Sequence, residues 1–167
     1  YVDGRAVARD CIVLNHLPPA PSFARLKDTA DITRPVPGER YLYRVNCGGP
    51  DYRDENGSLW SADRPWRDPA SWGSLSWAER YPGVPPLFAS QRRTFDPIRG
   101  TGDWPLFQTF RYGRQYLKYR FPLADGDYTV ELYFAEPWYG GGGGADCSGW
   151  RSFDVAVNGI TRIHDLD

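Results

Sequence analysis

The residues best suited to chemistry in this sequence are aromatic rings that stand in turn-like stretches rather than on regular strands. Four fit this description: Tyr81, Tyr112, Trp138 and Tyr139. Large rings in loops meet water unless something covers them. A pyranose suits such rings, because its C–H face stacks on the ring while its hydroxyls bond to nearby polar groups. The pattern therefore favours a carbohydrate partner, and we expect these residues to contact it.

Five consecutive glycines, residues 140–144, directly follow Trp138 and Tyr139. They do not form a phosphate loop, since no Lys-Ser or Lys-Thr pair follows them and no helical pattern begins after them. One interpretation is a hairpin tip that is costly to order. The other is a segment that lets a ligand approach the backbone closely beside two aromatic rings. The sequence leaves both interpretations open.

Catalytic chemistry has little support in this chain, and no cofactor is expected. The two histidines, His16 and His164, lie in no nucleophile motif and at no metal-ligand spacing, which disfavours a zinc or Ser-His-Asp site. Paired carboxylates for glycoside hydrolysis leave no spacing to read. The candidates are the acidic residues nearest the aromatic clusters: Glu79, Glu131, Glu136 and Asp146. The simpler interpretation of Glu131 and Glu136 is an outward-facing position on a strand or at its end.

The charge balance and the distribution of apolar residues argue against two classes of partner. The 167 residues include 20 Lys and Arg against 21 Asp and Glu, for a formal net charge of −1. A nucleic-acid-binding surface normally needs an excess of basic residues, and aromatic rings without one favour sugars over single strands. The chain also lacks an apolar run of about 18 residues, so we expect no membrane span.

The elements that must position these rings are strands. Apolar and polar residues alternate with a period of two, as in a strand with one buried face, and the segments concerned are 41–47, 117–121, 128–135 and 153–157. Residues 106–111 predict a short strand as well. The Asn158-Gly159 pair predicts a type I′ hairpin turn, with residues 160–166 as the return strand. No segment carries a helical stripe, so the sequence predicts an all-β antiparallel sandwich or jelly roll.

Composition divides the chain into three parts. Residues 1–17 read as strand, Asp-Gly turn and strand, with too few apolar residues to form a core, and we interpret them as the tail of a preceding β domain. Residues 18–38 are rich in proline, which is typical of a linker. Residues 39–167 form the main domain. Its last strand signal runs to the chain end, so we expect the final strands of this domain to be missing.

The main domain also resembles the malectin-like carbohydrate-binding domains. The resemblance covers roughly residues 41–167 and rests on blocks in the family order: YRVNCGG at 43–49, GSLWSAD at 57–63, LFQTFRYG at 106–113, GDYTVELYFAE at 126–136 and FDVAVNG at 153–159. It implies a galactose-binding-like jelly-roll β-sandwich that binds sugar at loops on one end. Cys47 stands where the family usually has alanine.

The resemblance also implies which rings contact the sugar. Tyr112 matches the tyrosine of the family's Arg-Tyr motif. Trp138 and Tyr139 match the aromatic pair that follows Phe-Ala-Glu. A third aromatic contact lies further upstream in the family, and Tyr81 or Trp72 is the candidate for it.

The order of segments resembles the C-terminal region of bacterial β-galactosidase-like glycoside hydrolases of family 2, in which residues 1–14 would end an immunoglobulin-like domain. This resemblance implies a non-catalytic module of a periplasmic or secreted enzyme. Its partners would be a glucan- or galactan-type oligosaccharide and the other domains of the same parent chain. The alternative is a structural domain that braces such an enzyme and has no sugar site of its own.

Overall fold

The protein is a β-strand protein throughout the part described by a computed structural model, which comprises residues 11–13, 31–76, 81, 83–84, 91–95, 98, 100–113, 117–137, 139 and 146–167. The regular elements of this part are eleven strands and one 3-10 helix, Trp104–Phe107. The strands are β1 Cys11–Val13, β2 Val45–Asn46, β3 Tyr52–Arg53, β4 Leu59–Ala62, β5 Gly73–Ser76, β6 Gln91–Arg93, β7 Thr109–Arg111, β8 Leu117–Arg120, β9 Phe134–Glu136, β10 Phe153–Val157 and β11 Ile160–Leu166.

The strands pair into small sheets. Four pairs are antiparallel, namely β3 with β4, β5 with β8, β6 with β7 and β10 with β11. Two are parallel, namely β2 with β4 and β1 with β9. The prediction of an all-β fold with antiparallel sheets is therefore confirmed. Among the described residues, no helix is long and apolar enough to cross a membrane.

The hairpin of β10 and β11 forms where the sequence predicts it. Asn158 and Gly159 both have positive φ, 52° and 80°, as a type I′ turn requires. Such a turn matches the right-handed twist of the two strands that it joins. Phe153 lies opposite Leu166 at the far end of the pair, and β10 alternates between half-buried and exposed positions.

The prediction of a strand over 106–111 is wrong in its first half. Leu106 and Phe107 belong to the 3-10 helix, and β7 begins only at Thr109. Pro105 near the helix start explains the difference, because its fixed φ suits a helical turn and its missing N–H does not suit a strand ladder. The Leu106 N–H donates to the Asp103 carbonyl at 3.0 Å. The turn buries both Leu106 and Phe107.

Two further predicted strands are shorter than their alternating patterns. Within 128–135 only Phe134 and Ala135 lie in a strand, and within 41–47 only Val45 and Asn46 do. Alternation reports which side chains face a sheet surface, whereas a strand also needs a hydrogen-bonded neighbour along its whole length. Val130, in the part of segment 128–135 that forms no strand, is accordingly 58% exposed.

The core of the described part gathers around Trp60. Its buried members are Trp60, Ile98, Leu106 and Phe107, with Ile32, Tyr52, Tyr133 and Ala135 packed against them. The Trp60 ring meets Tyr133 edge-on, with 5.7 Å between centroids. Its Nε1–H donates to Asp54 Oδ2 at 2.9 Å, which satisfies the indole in the interior.

A second aromatic group, which we call the Trp72 cluster, comprises Tyr43, Trp72, Tyr119 and Phe121. Phe121 lies 5.0 Å from Tyr43 and 6.0 Å from Trp72, measured between ring centroids. Phe121 belongs to the alternating segment 117–121 but lies just after the end of β8, and 38% of it is exposed. The cluster therefore covers Trp72 while leaving part of its own surface open.

The N-terminal part of the chain is described only at β1. Cys11–Val13 runs parallel to β9, with Cys11 opposite Phe134 and Val13 opposite Glu136. Residues 1–10 and 14–30 lie outside the described part. The division into a tail at 1–17, a linker at 18–38 and a module at 39–167 stays a prediction.

Candidate functional site

The clearest arrangement of functional side chains lies just beyond the end of β9. Glu136 is the last residue of this strand, and its Oε1 accepts a hydrogen bond from the Tyr139 N–H at 2.9 Å. Its Oε2 accepts from Arg151 Nε and forms an ion pair with it. One carboxylate thus fixes the backbone of the turn that bears Tyr139 and ties it to the segment just before β10.

Two neighbours fix the Tyr139 ring. The Arg151 guanidinium lies 4.9 Å from the ring centroid, where the negative face of the ring attracts a cation. Trp150 meets the ring edge-on, with centroids 5.4 Å apart and planes at 71°. Tyr139 as a whole residue remains 37% exposed and Trp150 is 62% exposed. We call Glu136, Tyr139, Trp150 and Arg151 the Tyr139 cluster.

The turn that bears Trp150 is held by hydrogen bonds at both ends. Asp146 Oδ1 accepts from the Ser148 N–H at 3.0 Å and from its hydroxyl at 2.6 Å. These bonds favour the charged carboxylate and lower the pKa of Asp146. The Gly149 N–H donates to Asp167 Oδ2, and the Trp150 N–H donates to the Cys147 carbonyl at 3.1 Å. The backbone at Trp150 is therefore well defined.

A second group of contacts positions Tyr112, which directly follows the end of β7. Its ring lies 5.2 Å from the Arg92 guanidinium. The preceding residue, Arg111, donates from Nε to Asp63 Oδ2 in an ion pair whose side chains are almost wholly buried. This pair anchors the last residue of β7, directly before Tyr112.

Asp63, the acidic partner in this buried ion pair, accepts further hydrogen bonds. Its Oδ2 also accepts from the Gly48 N–H at 2.8 Å and from the Tyr119 hydroxyl at 3.2 Å. Among the described residues its Oδ1 has no hydrogen-bond partner. Burial, followed by the neighbouring Cys47 and Asp63, raises the pKa of Tyr119, which keeps its hydroxyl protonated and able to donate.

The turn at Gly48, beside Asp63, requires a glycine. Gly48 has φ +74°, and a Cβ at this position would lie 2.7 Å from the Phe110 carbonyl oxygen. A side chain would therefore push the turn away from β7. The close approach lets the Gly48 amide reach the carboxylate that also binds Arg111.

The remaining predicted contacts have different settings. Tyr81 is 57% exposed, whereas Trp72 is only 9% exposed and carries the Arg64 guanidinium 4.3 Å from its ring centroid. Packing in the Trp72 cluster accounts for the position of that indole. Trp138 and the glycines at 140–144 lie outside the described residues. The described contacts of Tyr112, Tyr139 and Trp72 involve different partners.

The candidate carboxylates are engaged in supporting contacts. Glu136 supports the Tyr139 cluster, and Asp146 closes its own turn. Glu131 accepts a hydrogen bond from the Tyr133 hydroxyl at 2.9 Å. Glu79 lies outside the described residues.

The sequence reasoning did not single out Trp150 and Arg151. The available signal was local, since Trp150 follows a Ser-Gly pair and directly precedes the segment that forms β10. That setting is as turn-like as those of the four aromatic residues selected from the sequence.

The fold and the site together define an all-β domain that presents aromatic rings at its turns on charged supports. Comparison with known families assigns the domain further. The family model described as Malectin domain matches residues 41–167. The chain therefore belongs to the malectin domain family, as its sequence blocks suggest.

Curated relatives agree with this assignment. Malectin-B of Xenopus laevis is 28% identical over 130 residues and Malectin-A of the same organism is 29% identical, each alignment covering 77% of this chain. A probable LRR receptor-like serine/threonine-protein kinase of Arabidopsis thaliana is 31% identical in an alignment of 137 positions that covers 75% of this chain. The alignments span 40% of each malectin and 13% of the kinase. No solved structure gives a significant match.

Proposed function

We propose that this chain is a non-catalytic carbohydrate-binding module, and that a glucan- or galactan-type oligosaccharide stacks on its turn aromatics. The observation that carries the proposal is the Tyr139 cluster. A partly exposed ring lies against the Arg151 guanidinium, and the Glu136 carboxylate that pairs with this arginine also accepts from the Tyr139 backbone N–H. A ring fixed in this way loses little conformational freedom on binding, which favours recognition of a weakly hydrophobic ligand such as a sugar.

The binding mechanism follows from the groups that the cluster presents. The exposed part of the Tyr139 ring offers an apolar surface to the C–H face of a pyranose. The Tyr139 hydroxyl and the Arg151 N–H groups other than Nε are donors within the same cluster, and sugar hydroxyls can accept from them. Tyr112 supplies a second ring and Trp138 a third, with Tyr81 as the upstream contact. Because Trp72 is buried, it has the weakest case among the predicted contacts.

Membership of the malectin domain family supports the same proposal. The resemblance implies sugar contacts at Tyr112, Trp138 and Tyr139, and the cluster forms around one of these three. A single open site of this kind typically gives dissociation constants on the order of micromolar to millimolar. We further propose a jelly-roll sandwich as the complete fold, although the described strands form only small sheets.

The proposed biological role is targeting. In this proposal the module belongs to a secreted or periplasmic bacterial glycoside hydrolase of the β-galactosidase-like kind, and it holds that enzyme on its polysaccharide. Tethering of this sort raises the local concentration of enzyme at its substrate without a change in the catalytic site.

The test is a calorimetric titration of the chain with a panel of glucan and galactan oligosaccharides. We expect binding to at least one series, and a loss of roughly tenfold or more in Tyr139→Ala. Tyr128→Ala is the matched control, since Tyr128 is also a tyrosine and is 44% exposed. Its affinity should equal that of the unaltered chain. The absence of binding across the panel, or equal affinity in Tyr139→Ala, would contradict the proposal.

A second candidate function is structural bracing, which the exposed apolar surface outside the Tyr139 cluster favours. Phe121, Leu123, Tyr128 and Val130 are all exposed within residues 121–130, and exposed apolar side chains that form a patch often mark an interface. A bracing module would bind none of the sugars. It would instead pack this stretch against a neighbouring domain of the parent chain, and hydrogen exchange would then show its backbone amides better protected in the full-length protein than in the isolated chain.

A further inference from the structure

We propose that Trp150 is a second stacking platform, which binds the sugar unit adjacent to the one on Tyr139. The inference rests on the proposed carbohydrate-binding function and adds to it a preference for chain length. A monosaccharide would need only Tyr139, whereas an oligosaccharide would use both rings. None of the family blocks quoted above includes Trp150.

The exposure of Trp150 is the first argument. At 62% it is the most exposed of the described tryptophans, and the side chain contributes little to the core. Its described ring contact is the edge-on approach to Tyr139. A large indole that stands in water beside a supported tyrosine is poorly explained by packing, and is well explained by a ligand that covers both rings.

The geometry of the two rings is the second argument. Their centroids are 5.4 Å apart and their planes are inclined at 71°. Adjacent units of an oligosaccharide are joined through one glycosidic oxygen, and their mean planes turn relative to each other at this linkage. Two inclined platforms at a short spacing therefore suit two consecutive units better than one ring does.

The rigidity of the turn is the third argument. The bonds from Ser148 to Asp146 and from Gly149 to Asp167 fix the backbone on the N-terminal side of Trp150. On its C-terminal side, Arg151 is paired with Glu136 and lies over Tyr139. The indole is thus attached to a backbone that is ordered before any ligand arrives, which reduces the entropic cost of binding.

The test compares sugars of one, two and three units within the glucan or galactan series that binds. Trp150→Ala should reduce the affinity for the monosaccharide by no more than about threefold, since Tyr139 loses one ring neighbour, and should reduce the affinity for the trisaccharide by about tenfold. Trp150→Phe should recover most of the loss, because it keeps an aromatic face. Trp104→Ala is the matched control, since Trp104 is a partly exposed tryptophan of the 3-10 helix.

The outcomes separate this inference from the proposed function. If the unaltered chain binds no sugar of any length, the proposed function fails and this inference fails with it. If the unaltered chain binds and Trp150→Ala binds the trisaccharide equally well, only the inference is overturned. An equal loss for the monosaccharide and the trisaccharide would also overturn it, since Trp150 would then merely support Tyr139. Should Trp150→Ala unfold, Trp150→Leu takes its place in the same comparison, because it keeps an apolar side chain but has no aromatic face.

Discussion

Two carboxylates in this molecule have different roles, although each accepts hydrogen bonds from more than one part of the chain. Asp103 is buried and accepts from the Thr33 hydroxyl at 2.6 Å, the Tyr52 hydroxyl at 2.9 Å and the Glu55 amide at 2.9 Å. Glu136 is partly exposed and accepts from Arg151 and from the Tyr139 amide. The first carboxylate holds segments of the fold together. The second holds an aromatic ring at the surface.

The difference teaches how function can be separated from stability here. A buried carboxylate that loses its donors leaves polar groups unsatisfied in a medium of low polarity, so the whole fold loses free energy. An exposed ion pair is solvated in any case and contributes little to stability. Changes at Asp103 should therefore alter folding, and changes in the Tyr139 cluster should alter binding.

The largest expected effect is the loss of the buried carboxylate. Asp103→Ala should lower the free energy of unfolding by about 3–5 kcal/mol, because three donors would lose a charged acceptor. Urea denaturation measures this change, and Asp125→Ala, at an exposed position, is the control. A loss below about 1 kcal/mol would show that the Asp103 site does not hold the fold together.

A smaller effect on the free energy of unfolding is expected from the ionisation of the Tyr52 hydroxyl. Burial, followed by the hydrogen bond to Asp103, raises the pKa of this phenol above its ordinary value. The Tyr52 hydroxyl therefore loses its proton at a lower pH in the unfolded chain than in the folded chain. The stabilisation that depends on this proton is complete below a pH of about 10 and decreases as the pH rises further. Tyr52→Phe should make the alkaline decline in unfolding free energy shallower. Tyr119 has a pKa raised in the same direction, so some decline should remain.

The smallest effect on stability is expected at Glu136. Glu136→Gln should change the free energy of unfolding by less than about 1 kcal/mol, because the ion pair with Arg151 is partly exposed. Oligosaccharide affinity should nevertheless fall by roughly threefold, since Tyr139 loses part of its support. Glu131→Gln is the same substitution at an exposed position that bonds to Tyr133, and it should leave affinity unchanged. Equal affinities in the two variants would show that Glu136 does not serve binding, contrary to the role given to it beside Asp103.

The sequence was sufficient for local features that depend on neighbouring residues alone. The Asn158-Gly159 hairpin forms because two adjacent residues tolerate positive φ. The strand character of 117–120 and 153–157 follows from alternation in the same way. The all-β class and the family follow from the sum of such segments.

Features that depend on distant contacts could not be read in this way. Leu106 and Phe107 look like strand residues, but they lie in the 3-10 helix Trp104–Phe107 and pack in the core with Trp60 and Ile98. Trp72 and Trp150 are both tryptophans in polar, glycine-containing stretches, yet one is packed between Arg64 and Phe121 and the other stands at the surface. Burial is decided by partners many residues away, which a local pattern does not contain.

The most direct measurement of the central claim is a crystal structure of the chain with the oligosaccharide that binds most tightly. We predict that a pyranose ring lies in van der Waals contact with the exposed part of the Tyr139 ring, and that its hydroxyls are within hydrogen-bond distance of Arg151. A sugar bound on another surface, with the Tyr139 ring still open to water, would contradict the account.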